Sequence, residues 1–157
     1  NIEGKTISWI GDGNNNMSNS FIEAAVKFKF NLKIGCPKKY SPDDKILKWA
    51  SKNKSKIFVT KDPREAAKDA DCIMTDKWVS MNDKVNKKAK KKSLKEYQVN
   101  KKLFKIAKAD CIFMHCLPVG RGEEVSDDII DGEKSVVWQQ AYNRVHAQKS
   151  IINWCLN

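Results

Sequence analysis

The sequence predicts an α/β fold, a three-layer Rossmann-like parallel sheet with helices on both faces. Two observations support this prediction. Short, mainly apolar runs alternate with helical patterns of about ten residues, and the runs end at turns rich in Gly, Pro, Asn or Asp. Parallel strands need such helical connections and are buried on both faces. At 157 residues the chain is long enough for a core of its own, and we expect a single domain over 1–157.

The first half of the chain alternates strand and helix twice. TISWIG is expected to be a buried strand that stops at a glycine-rich turn, and SFIEAAVKFKF follows it with apolar residues at helical spacing. NLKIGC is the next strand, ended by Pro37. SPDDKILKWASKN carries helix-start signals, with Ser41 as the cap, Pro42 at the first helical position and acids in the first turn. In the order given, the strand, helix, strand and helix are predicted over 6–11, 20–30, 31–36 and 41–53.

The second half continues the alternation. KIFVT and DCIMTD are predicted strands, joined by a short helix that Asp62 caps and Pro63 begins. The Lys-rich segment and VNKKLFKIAK supply helix, DCIFMHC is the fifth strand, and SDDIIDG is a helical turn ended by Gly132. SVVWQ is expected as a sixth strand before a final amphipathic helix, AYNRVHAQKSIINWCL. In chain order, these nine segments are predicted over 56–60, 62–70, 71–76, 84–95, 99–108, 110–116, 126–132, 135–139 and 141–156.

The net charge of +11 raises the question of nucleic-acid binding. Much of the charge lies in KVNKKAKKKSLK (84–95), where Val, Ala and Leu interrupt the lysines as in a solvated helix. No nucleic-acid-binding motif accompanies it, so we expect no nucleic-acid partner. Salt-dependent binding that is abolished by neutralising 84–95 would be the mark of the alternative.

The cysteines and the apolar segments bear on the compartment. Five cysteines without a CxxC pair fit neither a disulfide framework nor a zinc site, so we expect reduced thiols and a cytoplasmic protein. No window approaches the roughly 20 apolar residues of a membrane span, and no signal-peptide pattern is present, so we expect no membrane partner. Because the first residue is Asn1 rather than Met, we expect an excised domain or a processed product.

Three polar clusters directly follow predicted strands: GDGNNNMSNS (11–20), TDKWVSM (75–81) and HCLPVGRGEE (115–124). The carboxyl ends of parallel strands lie at one edge of a sheet, where ligands bind, so we expect the clusters to form one site. Pro118 restricts the turn that presents Cys116 there. A dinucleotide site is disfavoured, since the second strand lacks a following acid and the glycine fingerprint is incomplete.

Each candidate also has a purely structural interpretation. The Asn-rich turn can be only a helix cap, Asp76 can cap a loop, and Cys116 can be a small buried hydrophobe. His115 precedes Cys116 on an extended strand and points to the opposite face, so we expect a structural residue and not a base for the thiol. A cysteine protease would need His146 instead, and nothing else in the sequence supports that.

Together these motifs resemble the carboxyl-terminal, ornithine-binding half of the ornithine carbamoyltransferases. The matching stretches are WIGDGNNNMSNSFIEAA, TDKWVSM, HCLPVGRGEEVSDDIIDG and NRVHAQK, in the family's order and across almost the whole chain. Aspartate carbamoyltransferases resemble this architecture but differ at the HCLP loop. The resemblance implies transfer of a carbamoyl group from carbamoyl phosphate to the δ-amine of L-ornithine, giving citrulline and phosphate, a reaction of arginine biosynthesis.

The resemblance also implies which residues bind ornithine. Asn15 is expected at the α-carboxylate, Asp76 at the α-ammonium, and Ser80 and Met81 in a loop over the substrate. A zwitterionic amino acid needs a carboxylate partner for its ammonium group, and Asp76 supplies one. Asp76 argues for a free α-ammonium, which disfavours putrescine and acetylornithine as acceptors.

For carbamoyl phosphate the resemblance implies contacts with Cys116, with Leu117 through its backbone, and with Arg144. Cys116 and Arg144 are the expected catalytic residues: the guanidinium stabilises the developing oxyanion, and the thiol orients and deprotonates the amine rather than attacking covalently. Positioning supplies much of the rate. No metal or organic cofactor is expected, because carbamoyl phosphate is already activated.

Two substitutions and one absence depart from the family pattern. Asn82 replaces the Gly of S-M-G, and Gly120 stands where a His is common. The S-T-R-T phosphate motif of the amino-terminal carbamoyl phosphate domain is absent. We therefore expect that domain as a partner, a homotrimer for the full-length protein, and no activity from this chain alone. A non-catalytic amino-acid-binding or regulatory module and a transcarbamylase for a related amine stay as alternatives.

Overall fold

A five-stranded, fully parallel sheet forms the centre of the protein. The computed structural model describes residues 1–79 and 86–157. The strands are β1 Thr6–Ile10, β2 Asn31–Gly35, β3 Ile57–Thr60, β4 Cys72–Thr75 and β5 Ile112–His115. Their spatial order is β3-β2-β1-β4-β5, so the direction of winding reverses between β1 and β4. Ligands of open α/β sheets bind outside the strand ends at such a reversal.

Seven α-helices are seen in the described part of the chain. They are α1 Asn16–Phe28, α2 Asp44–Lys52, α3 Pro63–Ala67, α4 Lys87–Leu94, α5 Lys101–Phe104, α6 Asp127–Ile130 and α7 Val137–Leu156. Five of them are preceded by an Asn or Asp whose side chain accepts a backbone N–H of the first turn. Such caps satisfy donors that have no partner inside a helix.

Alternate strand residues pack on opposite faces of the sheet. Trp9, Cys72 and Met74 lie in the core that α1 and α2 cover. Ile10 and Ile73, the neighbours of those residues in sequence, lie in the core that α3 to α6 cover. The period of two along each strand therefore buries both faces, and the predicted three-layer architecture is confirmed.

The prediction of a sixth strand at 135–139 is wrong. Ser135 forms a single parallel bridge with Phe113, and the Val136 N–H donates to the Phe113 carbonyl at 3.0 Å. Helix α7 then begins at Val137 rather than at 141. The apolar residues have the composition of a strand, but the chain turns into a helix after one bridge.

The predicted cap of the second helix is also wrong. Asp43, not Ser41, caps α2, and its carboxylate accepts the Lys45 N–H at 2.7 Å. Pro42 therefore precedes the helix instead of starting it. A carboxylate at this position also interacts favourably with the helix dipole. At α3 the predicted arrangement, Asp62 before a helix that starts at Pro63, is confirmed.

Helix α7 is long and has little cover in the described structure. Val137 is its buried residue, whereas Trp138, Tyr142 and Trp154 are 63%, 65% and 80% exposed. Its predicted apolar side is present in the sequence, but the described residues do not pack against it. Within the described ranges no helix has both the length and the apolar character to cross a membrane.

Asp71 binds three donors at the amino-terminal edge of the sheet. Its carboxylate accepts the Thr6 N–H at 2.8 Å and the ammonium groups of Lys108 and Lys5 at 2.8 and 3.3 Å. Desolvation opposes ionisation, but the hydrogen bonds outweigh it and lower the pKa of Asp71 to about 2.

We expect Asp71→Asn to lower the free energy of unfolding by about 1 kcal/mol at pH 7, a modest value because both lysines are half-exposed. The pKa of Asp71 is lower in the folded chain than in the unfolded one. Its stabilisation is therefore complete above about pH 5 and is lost as the pH falls from about 4 to about 2. Urea denaturation across this range should show the unfolding free energies of the wild type and Asp71→Asn converging. A difference that stays constant with pH would contradict the charge-based role.

Candidate active site

The carboxyl edge of the sheet brings together the turns after β1, β4 and β5. These strands are neighbours, so adjacent turns start about 5 Å apart and the outer two about 10 Å apart. The Thr75 hydroxyl at the end of β4 donates to the Ile10 carbonyl at the end of β1, at 2.6 Å. Asn15, Asp76 and Cys116 thus follow three adjacent strands at one edge, the arrangement expected from the sequence.

The turn after β1 is tightly packed and ends in a helix cap. A Cβ on Gly13 would lie 2.9 Å from two atoms of the loop after β2, so only glycine fits. The Asp12 carboxylate accepts the Asn14 N–H at 2.8 Å. Asn15 then caps α1 by accepting the Ser18 N–H at 2.8 Å through Oδ1. The cap uses the amide oxygen of Asn15 and leaves its NH₂ group available to a ligand acceptor.

Asp76 and Cys116 are in direct contact. The Cys116 thiol donates to Oδ1 of Asp76 at 3.1 Å, and the Lys77 N–H donates to the same oxygen at 2.7 Å. Desolvation, followed by the bond to Asp76 and the negative charges of Asp76 and Glu124, raises the pKa of Cys116 to about 12. The side chain is therefore a protonated thiol at neutral pH, which disfavours it as a covalent nucleophile.

His115 is buried and orders the turn that carries Cys116. Its Nδ1 accepts the Leu117 N–H at 2.9 Å, and its Nε2 lies 3.4 Å from Oε1 of Glu124, which is also buried. The His115 backbone N–H donates to Oε1 of Gln140 at 3.0 Å. These contacts agree with a structural role for His115. The expectation that it points away from Cys116 is wrong, because one of its ring nitrogens lies within 4.8 Å of the Cys116 Sγ.

Sequence reasoning missed Glu124 and Gln140 as partners of His115. Glu124 stands in an acidic turn that has the pattern of a solvated loop, and Gln140 lies on a helix far along the chain. A Cβ on Gly120 would lie 2.8 Å from Oε2 of Glu124, so this carboxylate occupies the space that a larger residue at 120 would need. No local sequence signal reports either contact.

Leu117 has an unusual backbone conformation between His115 and Pro118. Its φ is 53°, and the peptide bond to Pro118 is cis. Because its N–H is bonded to His115, the carbonyl is the backbone group that remains for a ligand. No donor from the described ranges bonds to that carbonyl.

Helix α7 leads from the site toward Arg144. Gln140 and Arg144 are four residues apart and share one face of the helix, and Gln140 contacts the His115 backbone. Arg144 is exposed and forms no ion pair with residues 1–79 or 86–157. The structure therefore places Arg144 about one turn beyond the site without bringing it onto Cys116.

His146 does not form the pair that a cysteine protease needs. It is exposed on α7, where its ring lies 5.0 Å from that of Tyr142, and within the described structure it has no bond to Cys116. The other two predicted ornithine contacts, Ser80 and Met81, lie outside the described residues and stay predictions, as does any effect of Asn82.

Asp76, His115 and Cys116 are also the described residues best placed to hold a metal ion, with one donor atom of each within 4.8 Å of the others. Two of these ligand atoms are already hydrogen-bonded, since the thiol donates to Asp76 and Nδ1 of His115 accepts the Leu117 N–H. Nε2 of His115 lies 3.4 Å from Oε1 of Glu124. A metal would have to break these contacts, so the geometry assigns no ion here.

The fold and the site define an α/β domain that presents polar side chains at the carboxyl edge of a parallel sheet. The chain belongs to the aspartate/ornithine carbamoyltransferase family, whose Asp/Orn binding domain matches residues 3–155. Within the family it is similar to ornithine carbamoyltransferases. The enzyme of one Rhodopseudomonas palustris strain is 50% identical over 155 residues, and that of Brucella abortus is 48% identical over 155. Each match covers 99% of this chain and 49% of the relative.

Solved structures show the same relationship. The ornithine carbamoyltransferase from Pyrococcus furiosus has a TM-score of 0.88 at 44% identity and matches 96% of this chain and 49% of its own. The anabolic enzyme from Campylobacter jejuni has a TM-score of 0.90 at 35% identity and matches 98% of this chain and 52% of its own. The chain therefore spans about half the length of the curated relatives it matches.

The protonation state of Cys116 can be measured by alkylation. Its raised pKa leaves little thiolate at pH 7.5, so iodoacetamide should modify exposed Cys155 first and Cys116 slowly. Asp76→Asn removes a charge that raises this pKa and should accelerate Cys116 alkylation about tenfold, because a nearby negative charge disfavours the thiolate. Mass spectrometry resolves the two cysteines. Equal rates at Cys116 in both variants would contradict control by Asp76, and Cys155 serves as the internal reference.

Proposed function

We propose that this chain is the ornithine-binding half of an ornithine carbamoyltransferase, which forms citrulline and phosphate from L-ornithine and carbamoyl phosphate. The observation that carries the proposal is the contact between the Asp76 carboxylate and the Cys116 thiol, beside the turn that presents Asn15. A carboxylate and an amide NH₂ at adjacent strand ends match the two charged groups on the α-carbon of an amino acid.

The hydrogen bonds of the free site leave suitable groups for each end of ornithine. Oδ1 of Asp76 already accepts from Cys116 and Lys77, and within the described ranges Oδ2 has no donor, so it is open to the α-ammonium. The NH₂ of Asn15 is open to the α-carboxylate. Ser80 and Met81 are proposed to add contacts from the segment that follows Val79. Charge-assisted bonds of this kind fix both position and orientation.

The chemical step needs a neutral δ-amine held against the carbamoyl carbon. The amine forms the new C–N bond, the bond from the carbamoyl carbon to the phosphate oxygen breaks, and the proton lost by the amine passes to the departing phosphate. The raised pKa of Cys116 supports an orienting role for its thiol more than a role as base. The Leu117 carbonyl is proposed to accept from the carbamoyl NH₂, and Arg144 to stabilise the developing oxyanion. No metal or organic cofactor is part of this proposal.

A complete site requires a second half, the amino-terminal carbamoyl phosphate domain. Two features of α7 support this: Arg144 is exposed without an ion partner in the described structure, and large apolar side chains of the helix are uncovered. Exposed apolar area of this extent indicates a protein contact. For the complete protein we include the homotrimer, the cytoplasmic location and the role in arginine biosynthesis in the same proposal.

The chain alone should form no citrulline, because the groups that bind phosphate lie outside it. Adding an amino-terminal carbamoyl phosphate domain of the family should restore turnover, measured by a colorimetric citrulline assay. Substantial turnover by the chain alone would refute the half-site proposal. Ornithine binding with no turnover in the restored complex would instead favour a non-catalytic binding module.

In the restored complex, Asp76→Asn should raise the KM for ornithine about tenfold or more, the effect of losing one bond to a charged group. The KM for carbamoyl phosphate should change little, and discrimination against putrescine, which has no α-ammonium, should fall. Asp110→Asn is the matched control, since Asp110 is an exposed acid that precedes β5 at the opposite edge of the sheet. An unchanged ornithine KM in Asp76→Asn would exclude Asp76 as the ammonium partner.

A further inference from the structure

A buried ion pair lies next to the proposed ornithine site and has no part in the chemistry above. Nζ of Lys90 on α4 lies 2.6 Å from Oδ2 of Asp12 in the turn after β1, and the two side chains are only 7% and 6% exposed. Burying two charges is costly, and replacing such pairs by apolar residues is often neutral or stabilising. General stability is therefore a weak explanation for a pair at this position.

Asp12 is linked to the whole turn that ends in Asn15. Its other carboxylate oxygen accepts the Asn14 N–H at 2.8 Å, and its carbonyl accepts the indole N–H of buried Trp9 at 2.9 Å. Asn15 is the next residue after Asn14 and caps α1. The Asp12 carboxylate therefore holds the backbone one residue before Asn15.

Helix α4 carries the other partner and contacts the loops of the site from one side. Lys90 also lies 5.5 Å from the ring centroid of Tyr40, in the loop after β2. The adjacent Lys91 pairs with Glu123 at 2.5 Å, and Glu123 precedes the Glu124 that faces His115. Consecutive lysines of α4 thus hold the turn after β1 and the loop after β5.

We propose that the Asp12–Lys90 pair is a positioning element for amino-acid binding, through which α4 holds Asn15 in the geometry that receives the ornithine α-carboxylate. This proposal rests on the proposed function. Lys90 and Asp12 do not touch the substrate in it; they act through the Asn14–Asn15 backbone. Its consequence is specific: the pair controls ornithine affinity, and has little effect on carbamoyl phosphate affinity.

The test uses the complete enzyme that contains this chain. Lys90→Met should raise the ornithine KM about tenfold, equivalent to one lost positioning contact, with little change in the KM for carbamoyl phosphate. Lys90→Arg, which keeps the charge, should recover most of the affinity. Lys88→Met is the matched control, because Lys88 is an exposed lysine on the same helix and its loss changes the net charge equally.

Lys90→Met leaves Asp12 buried without this partner and is the variant most at risk of unfolding. The double variant Asp12→Asn/Lys90→Met removes both charges and keeps an oxygen to accept the Asn14 N–H. We expect it to fold and still to show the raised ornithine KM. A wild-type ornithine KM in the double variant would overturn the proposal and leave the pair as a purely structural feature.

Amide hydrogen exchange gives a readout that does not depend on ornithine chemistry. The N–H groups of Asn14 and Ser18, bonded to Asp12 and Asn15, should exchange about tenfold faster in the double variant and at the wild-type rate in Lys88→Met. If the double variant exchanges faster but the wild-type enzyme transfers no carbamoyl group to ornithine, the proposed function alone is refuted. If the wild-type enzyme carbamoylates ornithine and the double variant keeps the wild-type exchange rates and ornithine KM, the positioning role alone is refuted.

Discussion

The structure depends on one constraint: parallel strands deliver their following turns to the same edge of the sheet. The order β3-β2-β1-β4-β5 places the reversal of winding between β1 and β4, so the turns that follow β1, β4 and β5 are consecutive along that edge. The hydrogen bond from Thr75 to the Ile10 carbonyl joins the first two strand ends directly. Residues that are remote in sequence can therefore contact the same small ligand.

Buried polar groups then set the chemistry of that edge. His115 and Glu124 are enclosed together below the turn after β5, and the His115 ring accepts the Leu117 N–H that precedes Pro118. The turn above them keeps the half-buried Cys116 thiol in contact with Asp76. Desolvation and nearby negative charge make this cysteine a neutral hydrogen-bond donor, in contrast to the thiolates of cysteine nucleophiles. The environment, not the residue type, decides the role.

Helix α7 has few contacts with the rest of the described structure. Helices of this chain cover both faces of the sheet. Helix α7, however, leaves the sheet after Val137, and its large apolar side chains are exposed to solvent. The matched relatives are about twice as long as this chain. At the other side of the site α4 has the opposite character, since its exposed surface is charged while Lys90 is buried against Asp12.

The sequence by itself determined the alternation of strands and helices, the polar turns after three strands, and the family motifs. These depend on periodicity and on neighbours in the chain, as the Asp62–Pro63 helix start shows. Only the tertiary structure decided that Lys90 reaches Asp12, that Glu124 is buried against His115, and that 135–139 turns into a helix after one bridge. Such outcomes follow from which surfaces meet when the sheet and helices pack, and a lysine or glutamate in a charged run carries no local sign of that burial.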